Sequence, residues 1–278
     1  MALDFRYGKD DKNRDLRTAF DSDAANYDRV RPRYCPQLFE AVIRAAGVTS
    51  SSRVLEIGPG TGQATDPFIQ LGCSVTAVEL GEHLAGYLRE KYADRSNLTG
   101  WQGDFLEFPE ESTYDLVYSA TAFHWIPREQ GFAKVMRLLK PGALLALFWN
   151  HPIVGGNAAE EQTVQAVYRK FDRDTKGAKP FDGSSCAAYE QALRDAGFQN
   201  VRSRLFSGAR VLTGEQYVQL MRSYSDHSSL PEDKRLRLEE ELEAAIRGMG
   251  DALTIRDVMD LYLAQAPQTT QLSKLNKI

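Results

Sequence analysis

Apolar and polar positions along the chain follow two periods that take turns. Val54–Ile57 and Ala143–Trp149 are short apolar runs, the signature of strands buried on both faces, and Val75–Glu79, Leu98–Gly103 and Tyr114–Ser119 read as further strands between them. Between them the apolar positions recur at helical spacing. Leu38–Ala46 predicts a helix with Gly47 as its C′ residue, Ala64–Leu71 a second with Pro67 near its start, and Leu84–Tyr92 a third. Phe132, Val135, Met136 and Leu139 stand at i, i+3, i+4 and i+7, and Lys140-Pro141-Gly142 is expected to end that helix. Five strands alternating with helices between residues 50 and 150 predict a doubly wound, parallel α/β sheet, which takes its ligands at the carboxyl ends of its strands.

Outside that stretch the pattern is looser. Leu16, Phe20, Ala24 and Tyr27 draw one stripe along a helix that must stop before Pro32, and Tyr27–Tyr34 is expected to be irregular, with aromatics and arginines interleaved. Beyond Asn150 the reading is a helix over 157–171, a polar loop Thr175–Ser185, a helix Tyr189–Ala196 and a strand Val201–Phe206. Helices near Gly214–Tyr224 and Glu232–Arg247 follow, then a last strand Leu253–Leu263. The tail from Pro267 is polar and expected to fray.

Composition narrows the function classes. The 278 residues are 42% hydrophobic, enough for one large core with an appended cap. With 34 basic against 38 acidic residues, the net charge of −4 supplies no footprint for nucleic acid or an anionic membrane. Cys35, Cys73 and Cys186 form neither a C-x-x-C pair nor an even set, so no disulfide framework or metal site is expected. A charged, h-region-free start and the lack of a bilayer-length apolar run give the expectation of a cytoplasmic protein.

The candidate chemistry begins at Glu56-Ile57-Gly58-Pro59-Gly60-Thr61-Gly62. Three glycines at alternate positions after a strand allow positive φ and close approach of a ligand to bare backbone, and the following helix turns its free N–H groups toward that ligand. The spacing differs from the G-x-G-x-x-G dinucleotide fingerprint. Glu79 ends the second strand 19 residues beyond Gly60, the interval at which an acid meets a ribose diol in mononucleotide-binding units.

An acid followed by G-x-G-x-G after a strand resembles the first motif of the class I S-adenosylmethionine (SAM) dependent methyltransferases, within them the small-molecule, trans-aconitate-methyltransferase-like (type 11) group. The resemblance covers about residues 15–265 and implies a seven-stranded, mostly parallel, Rossmann-like sheet closed by an antiparallel strand. On that comparison residues 157–187 and 214–248 are helical cap insertions. The organisation expected is an N-terminal helix and cofactor flap (1–36), a SAM-binding core (37–150), the remaining sheet with its cap (151–265) and a tail (266–278).

The same resemblance implies site residues. Gly58, Gly60, Gly62 and Glu56 would cradle SAM, Glu79 would take the ribose with Leu80 as a further cofactor contact, and Asp104 would accept the adenine amino group while Phe105 packs on the ring. Ser119 and Ala120 would line the exit of the fourth strand. Tyr27 and Arg31 belong either to a flap over the methionine end or to a solvated helix end. His124 is the candidate catalytic group, as a base toward a hydroxyl or carboxylic acid or as an orienting residue; Trp125 and Tyr224 are candidate acceptor contacts. The lack of an Asn/Asp-Pro-Pro-aromatic motif at this exit argues against base and glutamine-amide methylation. The expected reaction is SAM-dependent methylation of a small molecule, most readily at oxygen. The alternatives are a protein or RNA methyltransferase, and a SAM- or nucleotide-binding protein without turnover. Tyr217, Met221, Tyr224 and His227 on one helical face, with Gly155-Gly156 and Gly177 as hinges, read either as part of a moving lid or as plain cap packing.

Overall fold

Seven strands lie in the order β3-β2-β1-β4-β5-β7-β6, in a computed structural model that describes residues 24–173, 181–224, 227 and 230–268. The strands are β1 (Arg53–Ile57), β2 (Ser74–Glu79), β3 (Leu98–Gln102), β4 (Tyr114–Ala120), β5 (Leu139–Val154), β6 (Gln199–Leu212) and β7 (Leu253–Gln265). β1 to β5 pair in parallel, and β7 runs antiparallel to both β5 and β6. The expected doubly wound sheet is present, with its reversed strand between β5 and β6.

The helices are α1 (Ala24–Val30), α2 (Pro36–Ala46), α3 (Asp66–Leu71), α4 (Glu82–Lys91), α5 (Arg128–Leu138), α6 (Ala158–Lys170), α7 (Ala187–Asp195), α8 (Gly214–Arg222) and α9 (Glu232–Gly248). Gly47 sits at φ 62° and closes α2, as expected of a C′ glycine. Two apolar layers sandwich the sheet. Leu55, Ile57, Val117, Leu145, Leu147 and Trp149 face α5 and α7, while Val54, Leu116, Tyr118, Ala146 and Phe148 face α2 and α3. Leu55, Val117 and Leu145 are fully buried on one face and Val54, Leu116 and Ala146 on the other, which is why β1 and β5 read as apolar runs.

Four expectations change. Tyr27–Val30 is helical, because the stripe of α1 runs on to the residue before Arg31 and leaves only the stretch from there to Cys35 extended. α3 begins at Asp66, not Ala64: Gly62, at φ 90°, starts a turn that continues to Thr65, and Pro67 sits in the first helical turn, where its missing N–H costs nothing. Lys140-Pro141-Gly142 lies inside β5, since the helix stops at Leu138 and strand pairing begins at once with Leu139 opposite Tyr114. β6 and β7 run past Phe206 and Leu263 because they keep pairing with each other, and β7 with β5, to Leu212 and Val154.

The cap rests on that overhang. Val164, Val167 and Tyr168 of α6, Tyr217, Val218 and Met221 of α8, and Leu238, Leu242 and Ile246 of α9 form a separate apolar cluster with Leu253 and Ile255 of β7. The segment 183–187, assigned above to the cap, belongs to the main core instead: Cys186 packs there, as do Tyr189 and Leu193 of α7. The beginning of the N-terminal stripe (Leu16, Phe20), Gly177 and most of the tail lie outside the described residues. Among the described residues no helix is long and apolar enough to cross a membrane.

Candidate cofactor and acceptor site

The loop after β1 is shaped by backbone alone. Gly58, Gly60 and Gly62 have φ of 68°, 57° and 90°. A Cβ on Gly58 would lie 2.4 Å from the Ala122 Cβ, and one on Gly62 would lie 2.8 Å from the Tyr92 hydroxyl. Side chains are thus excluded at Gly58 and Gly62 by conformation and by space, which keeps the backbone of the loop uncovered at the strand ends, while its amides are tied to the Val78 and Pro59 carbonyls and to Glu79.

Two buried acids face this loop. Glu79 is 7% exposed and spans it: the Gly60 N–H donates to Oε2 and the Gly81 N–H to Oε1, both at 2.9 Å. A carboxylate has further lone pairs beyond these two, so hydroxyl donors can still be accepted. Glu56 is fully buried; its Oε2 accepts from the Thr65 hydroxyl at 2.6 Å, whereas Oε1 is buried with no hydrogen-bond partner. Burial pushes its carboxyl up to about 7, and the nearby charges of Glu79 and Asp66 push the same way against the Thr65 and Tyr118 hydroxyls. An orphaned acceptor beneath a glycine cradle fits a ligand that brings a donor or a positive charge.

Around the cradle, Asp104 is half-buried and its Oδ1 accepts from the Leu106 N–H at 2.9 Å, capping a short 3₁₀ turn. The Phe105 side chain is 3% exposed and packs in the main core, with the Lys134 Nζ 5.6 Å from its ring centre, so what it offers at the strand end is an edge of that core; Leu106 is the half-buried neighbour. Ser119 is likewise buried and structural, its hydroxyl donating to the Ile57 carbonyl at 2.8 Å and tying β4 to β1. Leu80 and Ala120 are half-buried at the strand ends. The backbone of Tyr27 lies in α1, and its side chain is outside the described residues.

His124 and Trp125 form a 3₁₀ turn just beyond β4, with the two rings 4.8 Å apart. The Trp149 indole N–H donates to His124 Nδ1 at 3.0 Å. Burial, helped by the positive charge of Arg31, lowers the His124 pKa to about 4, so the ring is neutral at physiological pH. Arg31 lies 4.5 Å over the Tyr224 ring and donates to the Ser223 carbonyl at 2.6 Å, which joins the N-terminal segment to the end of α8. Tyr34 meets Thr121, itself at φ 52°, through their hydroxyls at 2.6 Å. Arg33, in contrast, is spent on Asp28 at 3.1 Å.

Sequence reasoning missed two members of this region. Lys91 donates to the Thr61 carbonyl at 2.8 Å and to Asp28 at 3.0 Å, locking α1 to the glycine loop; a lysine at a helix end carries no special pattern. Trp149 read only as the last apolar residue of a strand. Tyr217, Met221 and His227 are buried around the Tyr168 hydroxyl, and a Cβ on Gly155 or Gly156 would lie within 3 Å of Glu161 or Thr254, so both positions need glycine for space. Among the described residues no cluster of His, Cys, Asp or Glu could hold a metal.

This fold and cradle define a doubly wound methyltransferase-type domain, and comparison with known proteins agrees. A methyltransferase-domain family model matches residues 54–142. An uncharacterized methyltransferase-like protein of Schizosaccharomyces pombe is 30% identical over 234 residues, covering 82% of this chain and 86% of its own. An uncharacterized methyltransferase of the same organism is 27% identical over 233 residues, covering 82% and 87%. Phosphoethanolamine N-methyltransferase 2 of Haemonchus contortus, solved with SAM, shares the fold at TM-score 0.53 and 14% identity, over 89% of this chain and 57% of that one. The chain belongs to the class I SAM-dependent methyltransferases, and its cofactor is SAM.

Proposed function

We propose that the enzyme methylates an oxygen, carboxylate or hydroxyl, of a small molecule, in keeping with the trans-aconitate-methyltransferase-like group. The observation that carries this reading is the meeting of Arg31, His124 and Tyr224, drawn from three distant parts of the chain, with Trp125 beside them. A guanidinium over an aromatic face and a neutral imidazole suit an anionic, oxygen-bearing acceptor.

In this proposal Gly58, Gly60 and Gly62 bind the cofactor through backbone, Glu79 and Leu80 hold its ribose and Asp104 its adenine. Glu56 accepts from its amino group, and Ala120, Tyr27 and Arg31 complete the pocket, with Ser119 holding the β4 exit in place from behind. The bound cofactor supplies an electrophilic methyl group on sulfur. The protein's own part is to orient the acceptor oxygen and exclude water, which the helical cap and α1 accomplish by closing over the strand ends. Domain roles follow: 1–36 as flap, 37–150 as cofactor core, 151–265 as the acceptor-selecting remainder and 266–278 as tail.

The test is incubation with methyl-labelled SAM and a cell extract, followed by separation of small molecules from protein and RNA. Label in the small-molecule fraction, released by alkali as methanol for an ester or retained for an ether, supports the reading. Label confined to protein or RNA overturns it.

A further inference from the structure

Trp149 is fully buried in β5, and each of its two N–H groups has a side-chain acceptor. The backbone N–H donates to Asp260 Oδ1 at 3.0 Å, and the same oxygen stands 3.1 Å from His151 Nε2. The indole is boxed by Tyr189 at 5.1 Å and Tyr262 at 5.9 Å, both edge-on. So placed, the ring has one orientation, and its Nε1–H reaches His124 Nδ1 at 3.0 Å.

An indole nitrogen can only donate, so His124 Nδ1 must carry the lone pair. In a neutral imidazole the single proton is then on Nε2. Among the described residues His124 makes no second hydrogen bond, which leaves Nε2–H as the group that can meet a ligand.

We infer that Trp149 is a positioning residue, its ring held between Tyr189 and Tyr262, that fixes His124 as an Nε2–H donor; His124 therefore orients the acceptor by donating to its oxygen and takes no proton from it. The inference rests on the reading of His124 as part of the acceptor site. In the step itself the acceptor is a carboxylate, already an anion near neutral pH: its O–CH₃ bond forms as the S–CH₃ bond breaks, the S–CH₃ electron pair stays on sulfur, and the His124 proton stays where it was. A base on His124 would need the opposite tautomer, or a nitrogen lone pair that Trp149 already occupies.

Two measurements test this. In protein labelled with ¹⁵N-histidine and saturated with S-adenosylhomocysteine (SAH), long-range ¹H–¹⁵N correlation should give the Nε2-protonated pattern for His124 from pH 6 to 8, and Trp149→Phe should convert it to a mixture. An Nδ1-protonated ring in the wild type overturns the inference, as does an unchanged pattern in a folded Trp149→Phe. The second measurement uses labelled SAM and the small-molecule fraction of a cell extract. His124→Gln, which keeps an N–H donor but cannot act as a base, should retain about a fifth of wild-type incorporation or more, while His124→Ala loses about 100-fold. A Gln variant as inactive as the Ala variant, with SAH affinity intact, overturns the donor role. A wild-type protein that labels no small molecule sinks the proposed function instead, and the tautomer measurement still decides the inference.

Discussion

Glu56 and His124 are pulled in opposite directions by the same burial, and the signs give opposite pH dependences. The folded-state pKa of Glu56, about 7, lies above its ordinary value of 4.5. Its contribution to stability is therefore complete below pH 4.5 and is lost as pH rises through 7. That of His124, about 4, lies below 6.5, so its contribution is present above pH 6.5 and is lost as pH falls toward 4. Glu56→Gln copies the protonated form at every pH. In ligand-free protein this variant should match the wild type near pH 5 and exceed it in melting temperature near pH 8; parallel melting-temperature curves over that range would refute the assignment. Binding of a cation beside the Glu56 carboxyl should in turn expel its proton, so calorimetry of SAM in buffers of different ionisation enthalpy is expected to register net proton release near pH 7. At this level the sequence was informative where chemistry needs a particular residue in a particular place. The link between the glycine loop and Glu79 was legible in their spacing, but the depth at which Phe105 packs was not, because an aromatic next to a strand end looks the same in sequence whether it lies at the surface or in the core.

Among the elements, α1 illustrates how contacts between distant segments escape periodicity. Asp28 accepts from Lys91, whose Nζ also reaches the Thr61 carbonyl, so a helix that precedes the sheet is tied to the glycine loop itself. Burial raises the Asp28 carboxyl, and the hydrogen bond and charge of Lys91 outweigh it, leaving the net value lowered. A partly exposed ion pair of this kind contributes only about 0.2–1 kcal/mol to stability. Its expected effect is on exchange: Lys91→Ala should speed SAH dissociation in stopped-flow fluorescence several-fold while the melting temperature changes little. An unchanged off-rate would mean that α1 does not gate the site. The strand ends tell a similar story, since β5, β6 and β7 continue past their apolar runs only because each has a partner to pair with, a fact held in the other strands and not in the residues themselves.

Among the described residues the sheet carries an apolar layer on each face, and the cap has an apolar cluster of its own. Tyr217 is 1% exposed in that cluster and shares the Tyr168 hydroxyl with His227 and Met221. Tyr217→Ala should cost about 3–5 kcal/mol locally by analogy with other buried aromatic deletions. Hydrogen exchange should then rise in α6, α8 and α9 while β1 to β4 stay protected; uniform loss of protection would show that cap and sheet unfold as one unit. Fold class and cofactor were readable because five strands and a glycine cradle recur in a short stretch. The cap's placement was not, because its helices are amphipathic like any others and their partner surface is the strand overhang.

If SAM sits at the strand ends with Glu79 beneath its ribose, removing that carboxylate must weaken binding. Calorimetric titration with SAH, run in parallel on the wild type and Glu79→Ala, tests it most directly. One SAH per wild-type chain is predicted, with affinity weakened at least tenfold in the variant, since charge-assisted hydrogen bonds of about 1.5–3 kcal/mol each are removed. A wild-type protein that binds no SAH, or a folded Glu79→Ala that binds it equally well, would contradict the account.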